Sequence, residues 1–117
     1  MSSPATIWND EIDIGATFYR EVIAYDDKAH TQLTDLTNKL PRATLMDQSG
    51  KFIANFACAY LEATEILPKR IAWTMPRAIT ALLSVKKYIY SIDLDNGDNS
   101  DRIQKGSITA GIGQKYE

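Results

Sequence analysis

Apolar residues recur at three- and four-residue spacing in four stretches of the chain, and that period predicts four helices. The most apolar stretch, Thr74 to Tyr90, places Ala78, Leu82, Val85 and Ile89 on one line with Ile79 and Leu83 beside it. Pro76 suits a first helical turn because its φ is already helical and its missing N–H is not needed there. This stretch, about residues 76–90, is expected to be a buried central helix. Before it, Ile14, Phe18 and Val22 predict a helix from about Asn9 to Ala24. Ala29, Leu33, Leu36 and Leu40 predict a second, capped by Asp26 or Asp27 and ended by Pro41. Phe52, Ile53, Phe56, Ala57, Tyr60 and Leu61 predict a third after Ser49. Pro68 breaks that third helix, Lys69 and Arg70 form a small basic corner, and Trp73 is read as a lid over one end of the core.

The pattern changes after Tyr90. Ser91 to Asp95 alternates, and Asn96-Gly97 supplies strong turn chemistry inside an acidic loop. From Arg102 to Glu117 apolar residues thin out to Ile103, Ile108, Ile112 and Tyr116, and Gly106, Gly111 and Gly113 exclude a stable helix. The expected architecture is therefore all-α: about four helices in a domain over 1–101, with 1–8 as a flexible lead, then an extended C-terminal arm or short edge strand over 102–117.

Length and composition fit one globular domain: 117 residues, 44% hydrophobic and 24% charged. No apolar run approaches the roughly 18 residues of a membrane span, and no signal peptide is expected from the first residues. Cys58 is the single cysteine, so no disulfide forms within the chain and a small buried hydrophobe is its expected role. The net charge of −2 is unevenly laid out: −5 over residues 1–27, +5 over 28–90, −4 over 91–101 and +2 over 102–117. Acidic ends meeting a basic middle would suit head-to-tail contact between copies.

Chemistry-bearing motifs are sparse. The acidic loop fails EF-hand spacing, since placing Gly97 at position six puts Ile92 and Leu94 at ligand positions. Gly111-Ile112-Gly113 is too short for a dinucleotide fingerprint, and the one histidine, His30, has no partner for metal or base chemistry. The basic residues form no dense stripe for nucleic acid. The chain is expected to be no enzyme and to need no cofactor or metal.

Two features taken together, the Pro76-led apolar stretch and the run from Ile103 through Lys105–Gly113 to Tyr116, resemble the small helical head–tail connector (adaptor) proteins of tailed bacteriophages. The resemblance covers roughly residues 49–117, and Lys105–Gly113 carries most of it. It implies a virion structural protein, assembled in the host cytoplasm, with about twelve copies in a homo-oligomeric ring. The ring would lie under the portal, offer a platform to tail proteins, and pass DNA without reading its sequence. On this analogy Ile103, Ile108, Ile112 and Tyr116, with Trp8, are assembly-interface candidates. Asp93, Asp95 and Asp98 would face the channel and repel the duplex. A small helical regulator of one host protein and a tail-completion protein are the alternatives.

Overall fold

The structure, a computed structural model, describes residues 6–26, 29, 31–97 and 99–112. The all-α expectation is overturned: the described residues form β-strands and a single helical turn. The strands are β1 (Thr6–Ile7), β2 (Asp10–Asp13), β3 (Phe18–Val22), β4 (Leu40–Met46), β5 (Phe52–Leu61), β6 (Arg70–Met75), β7 (Lys86–Asp95) and β8 (Ser100–Gly111). The turn is α1 (Arg77–Thr80), directly after Pro76.

The strand order is β1-β8-β7-β4-β5-β6-β3, with β2 also beside β8. β1 and β2 act as one edge strand interrupted at Trp8–Asn9, both parallel to β8. All other pairings are antiparallel. The long strand β5 changes layers: Phe52–Phe56 pairs with β4, and Ala57–Leu61 pairs with β6. The result is a nearly closed, barrel-like sandwich. β3 pairs with β6 on one layer, β4, β7 and β8 form the other, and the first strand lies beside the last. Tyr88, near the start of β7, ties the turn before that strand to the sheet, because its hydroxyl accepts from Ser84 N (2.9 Å) and bonds back to Ser84 O.

The predicted central helix is the largest correction. Its first turn forms, but Lys86–Asp95 is a strand whose alternate residues Tyr88, Tyr90, Ile92 and Leu94 point inward and are buried. Leu82 and Val85, expected on the buried line, are 78% and 67% exposed. The predicted third helix is β5, and the segment read as a break before Trp73 is the core strand β6. The region read as a helix over 26–40 holds an isolated bridge, Tyr25 with Leu33, before β4 begins at Leu40.

The expected C-terminal arm is corrected as well. Residues 100–111 form the twelve-residue strand β8, which lies between β7 and β1/β2 and is no edge. A bulge sets Ile92 opposite Gln104 and Asp93 opposite Arg102, so Ile103 is the extra residue and both Ile103 and Gln104 turn inward.

The core is aromatic where the two layers meet. Trp73 stacks on Tyr90 at 5.1 Å between ring centroids and meets Phe18 and Phe56 edge-on at 5.1 and 5.0 Å. With Cys58 the only cysteine, no disulfide links the layers, and this cluster does so instead.

Candidate functional site: the gap between the second and third strands

Every strand neighbour in the sandwich is held by a backbone ladder except one. Among the described residues β2 pairs only with β8 and β3 only with β6, so the sheet stops short of closing between β2 and β3. Side chains hold this gap.

On one side the chain is fixed by Trp8 and Asn9, where it turns in from the β8 ladder. Trp8 N donates to Lys105 O at 2.9 Å, and Trp8 O accepts the Tyr90 hydroxyl at 2.7 Å. Gln104 Nε2 donates to the same hydroxyl at 3.0 Å, and Asn9 Oδ1 accepts from Ser107 N and Oγ. Gly106 is required beneath this crossing, since a Cβ there would collide with the backbone carbonyl of Trp8. Burial pushes the Tyr90 hydroxyl up to about 12, opposed by the Gln104 hydrogen bond and helped by the nearby Asp10 carboxylate.

Across the gap reaches Arg20 of β3. Its Nε and Nη2 each donate to an Asp10 carboxylate oxygen at 2.9 Å, and Nη1 donates to Tyr19 O at 2.8 Å. The guanidinium also lies over the Phe18 ring, 4.5 Å from its centroid. One arginine thus bridges what a ladder would otherwise close.

A cavity lies on each side of this ion pair. Toward the β2–β3 turn, about 350 Å³ is lined by polar groups that include Asn9, Glu11, Asp13 and Thr17. Toward the other end, about 260 Å³ is lined by Trp8, Val22, Ile23 and Trp73 together with the charged Asp10, Arg20 and Glu21 and the amide of Gln104. Trp73 is buried in its wall, and its Nε1 is the one buried side-chain polar atom among the described residues with no hydrogen-bond partner. An unmade bond of this kind costs about 1–3 kcal/mol and calls for a physical explanation.

The residues expected to form a site are placed differently. Ile103 and Ile108 are in this chain's own core and are corrected as interface anchors. Trp8 and Ile112 are exposed, at 56% and 66%. Tyr116 and Asp98 lie outside the described residues, as does His30. Asp93 and Asp95 sit on the outer face of β7, each matched by an arginine: Arg102 Nε to Asp93 and Arg42 Nη2 to Asp95, both at 3.0 Å. They form no bare acidic lining. On the outer face of β3, Arg70 holds the Glu21 carboxylate at 2.6 Å and keeps its pKa below the ordinary value, with Tyr19 OH assisting. The Cys58 thiol is half-buried, and burial raises its pKa. No group of three His, Cys, Asp or Glu side chains suited to a metal occurs among the described residues.

Sequence reasoning missed Asp10, Arg20, Tyr90 and Gln104 as a group. The available signal was Arg20 midway between Phe18 and Val22, on the strand face that those two residues turn toward the core. No family model matches the chain, and no curated protein matches it.

Proposed function

We propose that this chain is a non-catalytic assembly subunit of a virus particle, acting at the head–tail junction as a copy in a ring that passes DNA and receives the tail. The observation that carries the reading is the distribution of side chains over the surface. Two carboxylates at the gap are held in ion pairs, Asp10 by Arg20 and Glu21 by Arg70, whereas large apolar groups stay in water. Trp8 is exposed beside an unclosed sheet edge, and Leu82, Val85 and Ile112 are exposed where β7 begins and β8 ends. Exposed apolar groups of this size suit protein contact, and nothing near them is arranged for bond making.

The junction itself comes from the resemblance of Lys105–Gly113 to head–tail connectors. The helical half of that resemblance falls with the helices. The sandwich supplies another means to the same end, a rigid body with one unclosed edge. The fold alone does not choose among functions, because sandwiches of this type host many.

Immunogold electron microscopy of purified particles, with antibody raised against this chain, tests the proposal. Label at the junction between head and tail is expected. Label absent from particles, with the protein recovered on a single host enzyme, would replace it with the regulator reading.

A further inference from the structure

The turn between β7 and β8 joins a reactive pair of residues to a specific set of hydrogen bonds. Asn96 and Gly97 are both exposed there. Gly97 has φ of +99°, with open space where a side chain would stand. A glycine after an asparagine leaves its own main-chain nitrogen unshielded and free to turn toward the carboxamide carbon. In this turn both reacting groups are engaged. Gly97 N donates to Asp95 Oδ1 at 2.9 Å, and Asn96 Oδ1 accepts from Asn99 N at 2.8 Å. The other oxygen of Asp95 accepts from Arg42 Nη2 at 3.0 Å, so an arginine of the neighbouring strand β4 seats the carboxylate.

We propose that Asn96 is a site of self-modification to aspartate and isoaspartate, and that the Asp95 carboxylate, seated by Arg42, holds the reaction slow. Gly97 N gives up its proton and attacks Asn96 Cγ, closing a succinimide ring. The Cγ–Nδ2 bond breaks, and Nδ2 leaves as ammonia with the proton that Gly97 N lost. Water, the one co-reactant, then opens the imide. Cleavage at the side-chain carbonyl leaves aspartate, and cleavage at the main-chain carbonyl leaves isoaspartate, whose backbone runs through Cβ.

The attacking species is the deprotonated nitrogen. Its bond to Asp95 opposes that step, because the anion would lose the bond and face a like charge. A hydrogen bond to a charged acceptor is strong enough to slow proton loss by about tenfold or more. The contact of Asn99 N with Asn96 Oδ1 polarises the carbonyl for attack, a gain realised only once Gly97 N is free. Either product adds a negative charge to a turn already flanked by Asp95 and Asp101. Isoaspartate also lengthens the main chain inside a turn closed by Asn96 N on Asn99 O at 3.0 Å, next to the ladder pair Asp95–Ser100. Nothing in this chemistry depends on the chain's place in a particle.

Peptide mapping by mass spectrometry, with aspartate and isoaspartate forms separated, is the test on the full-length chain held at physiological temperature and neutral pH. The same chain unfolded in guanidinium chloride gives the rate without Asp95 in place. Asn96 in the folded chain is expected to convert about tenfold more slowly than that, or slower still. Asp95→Ala should raise the folded rate by about tenfold. Arg42→Ala, which leaves the carboxylate present but unseated, should raise it by about two- to fivefold. Amides of Tyr88–Ile92 should keep their exchange protection in both variants. Asn96→Gln should abolish the products, because the longer side chain closes a less favourable ring.

Conversion of the folded chain at the unfolded rate overturns the proposal. So does a rate at Asn96 that either substitution leaves unchanged. A faster rate that comes with lost ladder protection assigns the effect to general loosening and overturns it as well. Should Asp95→Ala fail to fold, Arg42→Ala decides alone.

Discussion

The two flanks of β8 and the gap between β2 and β3 close the same sandwich by different means. β8 is joined to β7 along nearly its whole length and to β1 and β2 on its other side, so closure there rests on main-chain hydrogen bonds that any sequence of strand-forming residues can make. Between β2 and β3 closure rests on one guanidinium, one carboxylate and the packing of Trp8 and Trp73. Ladder closure is cooperative and insensitive to individual side chains. Side-chain closure depends on a few named groups and leaves room beside them.

Substitutions should expose that contrast, beginning with the core both regions share. Trp73→Ala removes the ring that touches Phe18, Phe56 and Tyr90, and should lower unfolding free energy by about 3–5 kcal/mol in urea titration. Gly106→Ala drives a methyl against Trp8 O, displaces the crossing and frees the Tyr90 hydroxyl. A loss of about 1–3 kcal/mol is expected, measured the same way.

Tyr90→Phe deletes the hydroxyl that joins Trp8 O to Gln104 and should lose about 1–2 kcal/mol at neutral pH. Its pH signature is more specific. The folded chain holds the Tyr90 proton more tightly than the unfolded chain, because burial lifts the hydroxyl from 10.0 to about 12. The associated stability is full below pH 10 and is lost as pH rises from 10 toward 12, by about a factor of ten in the folding constant per pH unit. Unsubstituted and Phe chains should therefore converge over that window. A constant difference would assign the loss to packing instead.

Arg42→Ala, on the outer face where Asp95 is held by an exposed arginine, is the low end of the series. It should change stability by less than about 1 kcal/mol.

How much of this could be read from the residues follows from the periods involved. Phe18 and Val22 are four apart, a spacing that suits one face of a helix and one face of a strand equally. Ala78, Leu82, Val85 and Ile89 also satisfy the helical period, yet the stretch holds a one-turn helix, a loop and the start of a strand. What distinguished β7 was the strict alternation Tyr88, Tyr90, Ile92, Leu94, of which only the end at Ser91–Asp95 was recognised. The turn at Asn96-Gly97 was legible. At the matching turn, Asp47–Gly50, the apolar spacing starts a third helix after Ser49, although Gly50 has φ of +91° and Asp47 Oδ1 accepts from Ser49 N and Lys51 N.

Exposed Trp8 and Ile112 were legible as large apolar groups in thinly apolar surroundings. Ile103 and Ile108 looked the same in sequence and are core, because the sheet that buries them is assembled from strands far away in the chain. The gap was illegible for the same reason: Asp10, Arg20, Trp73, Tyr90 and Gln104 come from five separate strands. No local pattern marks them as neighbours.

Backbone amide hydrogen exchange, resolved by residue in dilute solution, tests the central claim most directly. Amides of β7 and those of β3 that face β6 should exchange only with global unfolding, while the β3 amides facing the gap, within 19–23, exchange orders of magnitude faster. Uniform strong protection of every amide from Phe18 to Ile23 would mean that the sheet closes there by its backbone, and the account of a gap held by side chains would be wrong.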